Sequence, residues 1–155
     1  MKASRLRLIM NVWPPFLFSG IHVTKISDDF RNVKVELRSH WYNKNYVGTH
    51  FGGSLFAMTD PFWMIMVLRN IGKDYVVWDK AGEIEFIKPG RGVVTTEFKL
   101  EESVLDELCA AAAGNEKVLR WFEIKIIDSQ GELVAKVRKQ VYVRLKPPKN
   151  PLDSA

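Results

Sequence analysis

Two adjacent glycines, Gly52 and Gly53, stand at the head of a long apolar stretch, and a lone aspartate, Asp60, follows seven residues after the second. Glycine has no side chain to crowd an approaching ligand, so the backbone N–H groups here are open to an oxygen atom. If a helix starts at this point, its positive end adds to the attraction. Donors of this kind can hold a carbonyl oxygen as negative charge builds on it during attack. Asp60 is the one acidic residue in the apolar run. Enclosure there should disfavour its charged form and raise its pKa toward the range useful for general-base catalysis. It could activate a water or attack an acyl carbon itself.

The spacing carries a second implication. On one continuous helix the carboxylate sits roughly 10 Å beyond Gly53 along the axis, whereas reacting groups must approach to about 3–3.5 Å. The N–H donors and the acid that serve one substrate must then come from two copies of the chain, with their helices antiparallel. A plainer reading is also open. Asp60-Pro61 has the form of an N-cap followed by proline at the first helical position, and a proline inside a helix costs about 3 kcal/mol and bends it.

The elements around this segment follow from periodicity. Val33, Val35 and Leu37 alternate with Lys34, Glu36 and Arg38, which marks a half-buried strand. Ile21 to Ile26 precedes it across the Ser27-Asp28-Asp29 turn, making a hairpin. From Gly52 to Ile71 the period becomes helical. Leu55, Met58, Phe62, Ile65, Met66 and Arg69 share a face, but Phe56, Trp63, Met64, Val67 and Leu68 make the remainder apolar too. Such a helix is enclosed on most sides. Strands resume at Tyr75 to Lys88 and Arg91 to Leu100 around Pro89-Gly90. A short helix from Ser103 to Ala113, with Ser103 as its N-cap, precedes a last hairpin of Val118 to Asp128 and Glu132 to Leu145. Hairpin connections make the sheet antiparallel, and runs of strands with a segregated helix give an α+β layer architecture. A lead-in helix over about 3–12 should end at Pro14 and Pro15, and Pro147, Pro148 and Pro151 predict an irregular tail over 147–155. The 155 residues fit one domain, 1–155.

With its Asn45, the segment Asn45 to Asp60 resembles the signature of hotdog thioesterases of the phenylacetate-pathway type. That signature runs from Asn through several residues to His-Gly-Gly and, six residues on, a catalytic acid. Phe51-Gly52-Gly53 occupies the triplet and Asp60 the acid. The run Tyr75 to Ala81 is similar to a poorly characterised bacterial branch of that superfamily. The resemblance implies a hotdog fold, an antiparallel sheet wrapped around a long central helix. It also implies an acyl-CoA thioesterase-like hydrolase in which the Gly52 N–H polarises the thioester carbonyl, Asp60 is base or nucleophile, and Asn45 and His50 position substrate or water. The chain departs from the pattern at the triplet, where Phe51 replaces His and His50 lies one position early. A non-catalytic acyl-CoA or lipid-binding module and an enoyl-thioester hydratase are the competing readings, because hotdog domains host several activities.

Further residues are candidates for substrate contact. Phe51, Phe56 and Trp63, with Met58 and Met64, could line an acyl tunnel. Lys88 and Arg91, beside the Pro-Gly turn, could meet the phosphates of coenzyme A. Strict alternation from Val76 places Trp78, Lys80, Gly82, Ile84 and Phe86 on the core side. Lys80 should therefore be buried and paired with a carboxylate, Asp60 or Asp79 among the candidates, unless a bulge at Gly82 reverses the register. The basic face Lys136, Arg138, Arg144 and Lys146 reads as solvated surface, and no nucleic-acid partner is expected.

Composition narrows the partners. A net charge of +5 suits an anionic ligand without requiring one. A single cysteine, Cys109, forbids an intrachain disulfide and suits a reducing cytoplasm. His22, His40 and His50 lack zinc-site spacing, so neither a metal nor any other cofactor is expected beyond coenzyme A as part of the substrate. No apolar run is long enough to span a bilayer, and a membrane partner is not expected. The exposed sheet edge needs cover, which pairing of the Tyr75 to Lys88 strands of two copies would supply. A homodimer, or a homotetramer made from two, is the expected assembly.

Overall fold

Six alternating segments pair into one antiparallel sheet in the computed structural model, which describes residues 1–147. Two short helices, α1 (Ala3–Val12) and α2 (Pro14–Ser19), precede the first hairpin, β1 (Ile21–Ile26) and β2 (Asn32–Arg38). The central helical segment follows as α3 (Gly52–Ala57) and α4 (Phe62–Ile71). Then come β3 (Tyr75–Phe86), β4 (Val93–Lys99), α5 (Glu102–Ala112), β5 (Val118–Asp128) and β6 (Leu133–Leu145). Strand order across the sheet is β1-β2-β4-β5-β6-β3, so β1 and β3 are the edges. This is the expected α+β order of elements, with the sheet on one side of a central helical rod.

The rod is interrupted, and proline is the reason. Pro61 has no N–H to give to Ala57, and its ring would press on that carbonyl. The chain crosses the break with tighter bonds, Thr59 N–H to Phe56 O at 3.0 Å and Asp60 N–H to Ala57 O at 3.1 Å, and α4 resumes with Ile65 N–H to Pro61 O. The unbroken helix expected from Gly52 to Ile71 is therefore two helices and a turn. Both carry the core: Leu55, Met58, Phe62, Met66 and Val67 are buried against Val35, Leu37, Val94, Phe98, Ile126 and Val137 of the sheet. Phe62 links Phe16 of α2 to Phe98 of β4 through ring contacts of 6.1 and 5.1 Å, and Trp63 stacks on Phe122 at 4.6 Å. Each fully buried side chain of this size contributes about 1.5–3 kcal/mol.

Two helix starts differ from the sequence reading. Helix α1 stops at Val12 ahead of the prolines, as expected, but Pro14 and Pro15 then begin an unanticipated second helix, α2, where the first-turn N–H groups are unpaired anyway. Helix α5 starts at Glu102 with Glu101 at its N-cap, ahead of the expected Ser103, and has no side-chain cap bond. The tail expected over 147–155 lies, apart from Pro147, outside the described residues.

The third difference bears on the site. Strand β3 pairs with β6 in a register that shifts between Asp79 and Ala81. Before the shift Val77 and Asp79 oppose Val143 and Val141, which face the core; after it Gly82, Ile84 and Phe86 oppose Lys139, Val137 and Ala135. The bulge thus turns the core-facing set from odd to even numbers. Trp78 is thrown to the outer face, where it stacks on Tyr142 at 5.0 Å.

Candidate active site

The glycine pair opens α3 as expected. The first two bonds of the helix run from Ser54 and Leu55 N–H to Phe51 O, at 2.9 and 3.2 Å. The N–H groups of Gly52 and Gly53 have no backbone acceptor among the described residues. Two exposed aromatic rings lie against the pair. A Cβ on Gly52 would sit 2.8 Å from Cζ of Phe86, and one on Gly53 would sit 2.4 Å from Cε1 of Phe51. Gly52 is also part of the wall of a cleft of about 380 Å³, together with Asn45, His50, Leu55, Phe86 and Lys88.

Asn45 and His50 build the loop leading into that cleft. Asn45 Oδ1 accepts from the N–H groups of Val47 and Thr49, while its amide donates to Thr49 Oγ1 and His50 O. Every polar atom of the Asn45 side chain is thereby engaged in shaping the turn. His50 is buried, with its N–H bonded to Gly90 O and its Nε2 2.9 Å from Gly92 O. A carbonyl can only accept, so Nε2 carries the proton and Nδ1 is left as a buried acceptor with no partner. Burial, the dominant cause, and the Lys44 charge lower the His50 pKa below that of free imidazole, against an opposing pull from the Gly92 bond. His50 is thus a neutral imidazole clamped to the β3–β4 turn.

Asp60 stands elsewhere than expected. Its side chain is 56% exposed in the single chain, not enclosed by apolar neighbours. Nor does it cap α4, whose N-cap is Pro61 and which has no side-chain cap bond. Its Oδ1 instead accepts from Nζ of Lys139 on β6 at 2.6 Å. Lys139 is 4% exposed and also lies 3.6 Å from Oδ2 of Asp79 on β3. Burial pushes the Asp79 carboxyl above the usual aspartate range and the Asp60 charge pushes the same way, with Lys139 pulling against both. Asp79 Oδ1 is buried and has no hydrogen-bond partner.

Lys80, expected to be the buried lysine, is exposed. It is the residue left over at the bulge between Asp79 and Ala81, one turn of the pleat before the Gly82 position expected for such an irregularity. The buried cation exists, but it is Lys139. Its signal in the sequence was its place in the core-facing set of β6, between Val137 and Val141.

The other candidates divide. Phe51 is exposed beside the glycines, and Phe56 is half-buried with its ring 5.2 Å from the Lys139 ammonium. Trp63 and Met58 are core residues packed away from the cleft. Lys88 borders the cleft but is tied to Asp128 at 2.6 Å and to Glu132, the two carboxylates that raise its pKa. Arg91 is exposed and makes one long bond, 3.4 Å, to Gly48 O. A larger opening of about 490 Å³ lies where β4 and β5 diverge, lined by Lys34, Thr96, Glu97, Glu123 and Lys125. It contains none of the candidate residues, and the glycine-bordered cleft is the better match to the expected chemistry. Among the described residues no three His, Cys, Asp or Glu side chains come together to hold a metal ion. No helix among them is long and apolar enough to cross a membrane.

Comparison with known proteins gives the fold a name. A family model described as "Domain of unknown function (DUF4442)" matches residues 2–143. No curated protein sequence matches the chain. Among solved structures, the chain is similar to PA5026 of Pseudomonas aeruginosa, a protein of unknown function described as a probable thioesterase. Identity is 20% and the TM-score 0.82, over 94% of this chain and 97% of that one. The PaaI protein of the E. coli phenylacetic acid degradation operon is 16% identical, with a TM-score of 0.63 over 90% of each chain. A hypothetical thioesterase of Streptococcus pneumoniae, solved with coenzyme A, is 18% identical, with a TM-score of 0.58 over 83% of this chain and 89% of that one. The architecture is the hotdog fold.

Proposed function

The chain belongs to the DUF4442 family, and we propose that it hydrolyses acyl thioesters of the acyl-CoA kind at a site that two copies build together. The observation that carries this reading is a division of parts along one helical rod. Unpaired N–H groups border a cleft at its start, and an exposed carboxylate, held by a buried cation, stands at its break. One rod cannot bring both to a single thioester. Lys139, which holds Asp60, pairs across from Gly82 of the edge strand β3. A second copy added antiparallel along that edge would set its glycine pair against this carboxylate and would cover the exposed Phe51 and Phe86 rings. The thioesterase descriptions of several structural relatives, and the coenzyme A held by one of them, support the substrate class.

In the reaction, the thioester carbonyl oxygen sits on the Gly52 and Gly53 N–H groups of one copy. Asp60 of the other takes a proton from water as the water oxygen bonds to the carbonyl carbon. The C–S bond then breaks, and the departing thiolate takes up the proton that Asp60 holds. Direct attack by the carboxylate, giving an anhydride that water opens, uses the same placement. Asn45 and His50 act by fixing the loop that leads into the glycines, and Arg91 is the cation left available for a coenzyme A phosphate.

Release of free thiol from a panel of acyl-CoAs, with wild type set beside Asp60→Asn, tests this. Wild type should release thiol, and the variant should lose about 100-fold or more in kcat, the usual size of a general-base contribution. Saturable acyl-CoA binding without thiol release would replace hydrolysis by a binding module. Loss of enoyl absorbance without thiol would replace it by a hydratase.

A further inference from the structure

We infer that Lys139 is the positioning residue of this site: its buried ammonium fixes one oxygen of Asp60 and so leaves the other directed at the reacting carbonyl. The inference rests on the reading of Asp60 given above and adds the residue on which that aspartate depends.

The case begins with burial that has no apolar excuse. Lys139 occupies a core-facing position of β6 between Val137 and Val141, both fully buried, where a hydrophobic side chain would pack without desolvating a charge. Lysine is seldom buried unless paired. Its nearest partner is an aspartate whose own side chain is more than half exposed. An exposed carboxylate is well hydrated and has no need of a buried cation. The asymmetry therefore runs one way: the cation serves the geometry of the acid.

The surroundings are shaped to admit that cation. The bulge between Asp79 and Ala81 brings Asp79 to the core side ahead of it and Gly82 to the core side after it, directly opposite Lys139. A Cβ on Gly82 would lie 2.5 Å from Cζ of Phe56 and 3.2 Å from Cδ of Lys139, so the absent side chain is what leaves room for both. The Phe56 ring from α3 lies 5.2 Å from the ammonium, within range of a cation–π contact. Asp79 adds a second carboxylate at 3.6 Å. The charged groups meeting here are Asp60 from the α3–α4 turn, Asp79 from β3 and Lys139 from β6. One cation is shared between two acids, so the lysine cannot leave without setting two carboxylates against each other.

A stitch between the rod and the sheet would also account for a single ion pair, and the experiment is chosen to separate the two roles. Full-length wild type, Lys139→Met, Lys139→Arg and Asp79→Asn are compared with octanoyl-CoA and phenylacetyl-CoA as probes, after circular dichroism confirms folding. Lys139→Gln replaces Lys139→Met if the latter does not fold. In the charge-removing variant kcat should fall on the order of 10–100-fold, the effect of misplacing a reacting group by about 1 Å, with KM changed far less. The acid limb of the rate, which belongs to the coupled cluster, should move to higher pH without Lys139 and to lower pH in Asp79→Asn. Lys139→Arg should restore part of kcat. Unaltered kcat and an unmoved acid limb in Lys139→Met would overturn the inference.

A second readout needs no turnover. Three-bond couplings from backbone N and C′ to Cγ report whether Asp60 holds one χ1 rotamer. They should show one rotamer in wild type and Lys139→Arg, and averaging in Lys139→Met. A single rotamer kept without Lys139 would overturn the inference even if hydrolysis is observed. If wild type releases no thiol but Asp60 loses its fixed rotamer with Lys139, the hydrolase reading fails and the positioning stands.

Discussion

Lys139 and Asp60, 79 positions apart in the chain, meet at 2.6 Å with the lysine buried and the aspartate exposed. This contact ties the break in the helical rod to the strand that neighbours the sheet edge. It places the one carboxylate of the central segment beside the edge strand β3. Two further features make the contact possible, the Asp79–Ala81 bulge and the missing side chain at Gly82.

Gly82→Ala tests the packing around that contact. The new methyl group would meet Cζ of the half-buried Phe56 ring at 2.5 Å and Cδ of the buried Lys139 at 3.2 Å, so the groups around the ion pair must shift to admit it. Overpacking of this kind costs about 1–3 kcal/mol. Urea denaturation should show that loss, and thiol release should fall with it.

Gly53→Ala should behave in the opposite sense. Its Cβ meets the Phe51 ring, which is 57% exposed and can swing outward. Alanine also favours helix over glycine by about 0.5–1 kcal/mol. Thermal stability should change by less than about 1 kcal/mol, whereas kcat/KM should drop roughly 10–100-fold because the displaced ring and the new methyl group crowd the donors. Unchanged turnover in a stable Gly53→Ala protein would remove the glycine pair from the mechanism.

Asp79 gives a prediction in pH. Its folded pKa is raised, chiefly by burial. A carboxyl of this kind opposes folding once pH exceeds its unfolded value near 3.9, and the opposition is complete above the folded value. Asp79→Asn removes that opposition. The difference in Tm between variant and wild type should therefore be more positive at pH 7 than at pH 3. A pH-independent difference would contradict the assigned direction of the shift.

His50 titrates in the other direction. Its folded pKa is lowered, so below about 6.5 the unfolded chain binds a proton that the folded chain refuses. Stability is then lost as pH falls through that value toward the folded pKa. His22 is shifted the same way, so the comparison must be made with a variant. Tm measured from pH 7.5 to 5.5 should fall less steeply in His50→Gln than in wild type.

Much of this was legible in the chain. The strands announced themselves because one residue in two is apolar, and the rod because nearly all its residues are. The glycine pair drew attention by residue type and position, whereas Asp60 was preferred as an acid over a helix cap only through the family resemblance. What escaped was set by register. Strict alternation placed Gly82, Ile84 and Phe86 on the core side, as found, but it could not register the extra residue between Asp79 and Ala81, so Trp78 and Lys80 were put on the wrong face. Lys80 was therefore assigned the burial that belongs to Lys139, although a lone cation in the apolar row of β6 was visible. The exposure of Asp60 was hidden for a related reason. An apolar neighbourhood along the sequence says that the rod is buried on average, but the turn at Pro61 rotates this one side chain out of it.

Strands β4 and β5 pair in register at two positions, Val94 with Asp128 and Thr95 with Ile127. In mechanical terms the sheet is two leaves of three strands joined by a short spine. Asp79 and Lys139 lie together on the β5-β6-β3 leaf, and the β1-β2-β4 leaf carries no member of the cluster. Bending at the spine would change the gape between leaves while carrying the lysine and its strand-borne acid as one rigid piece. Lys139 and Asp79 would then keep their spacing, and only Asp60, carried by the helical rod, would shift against them.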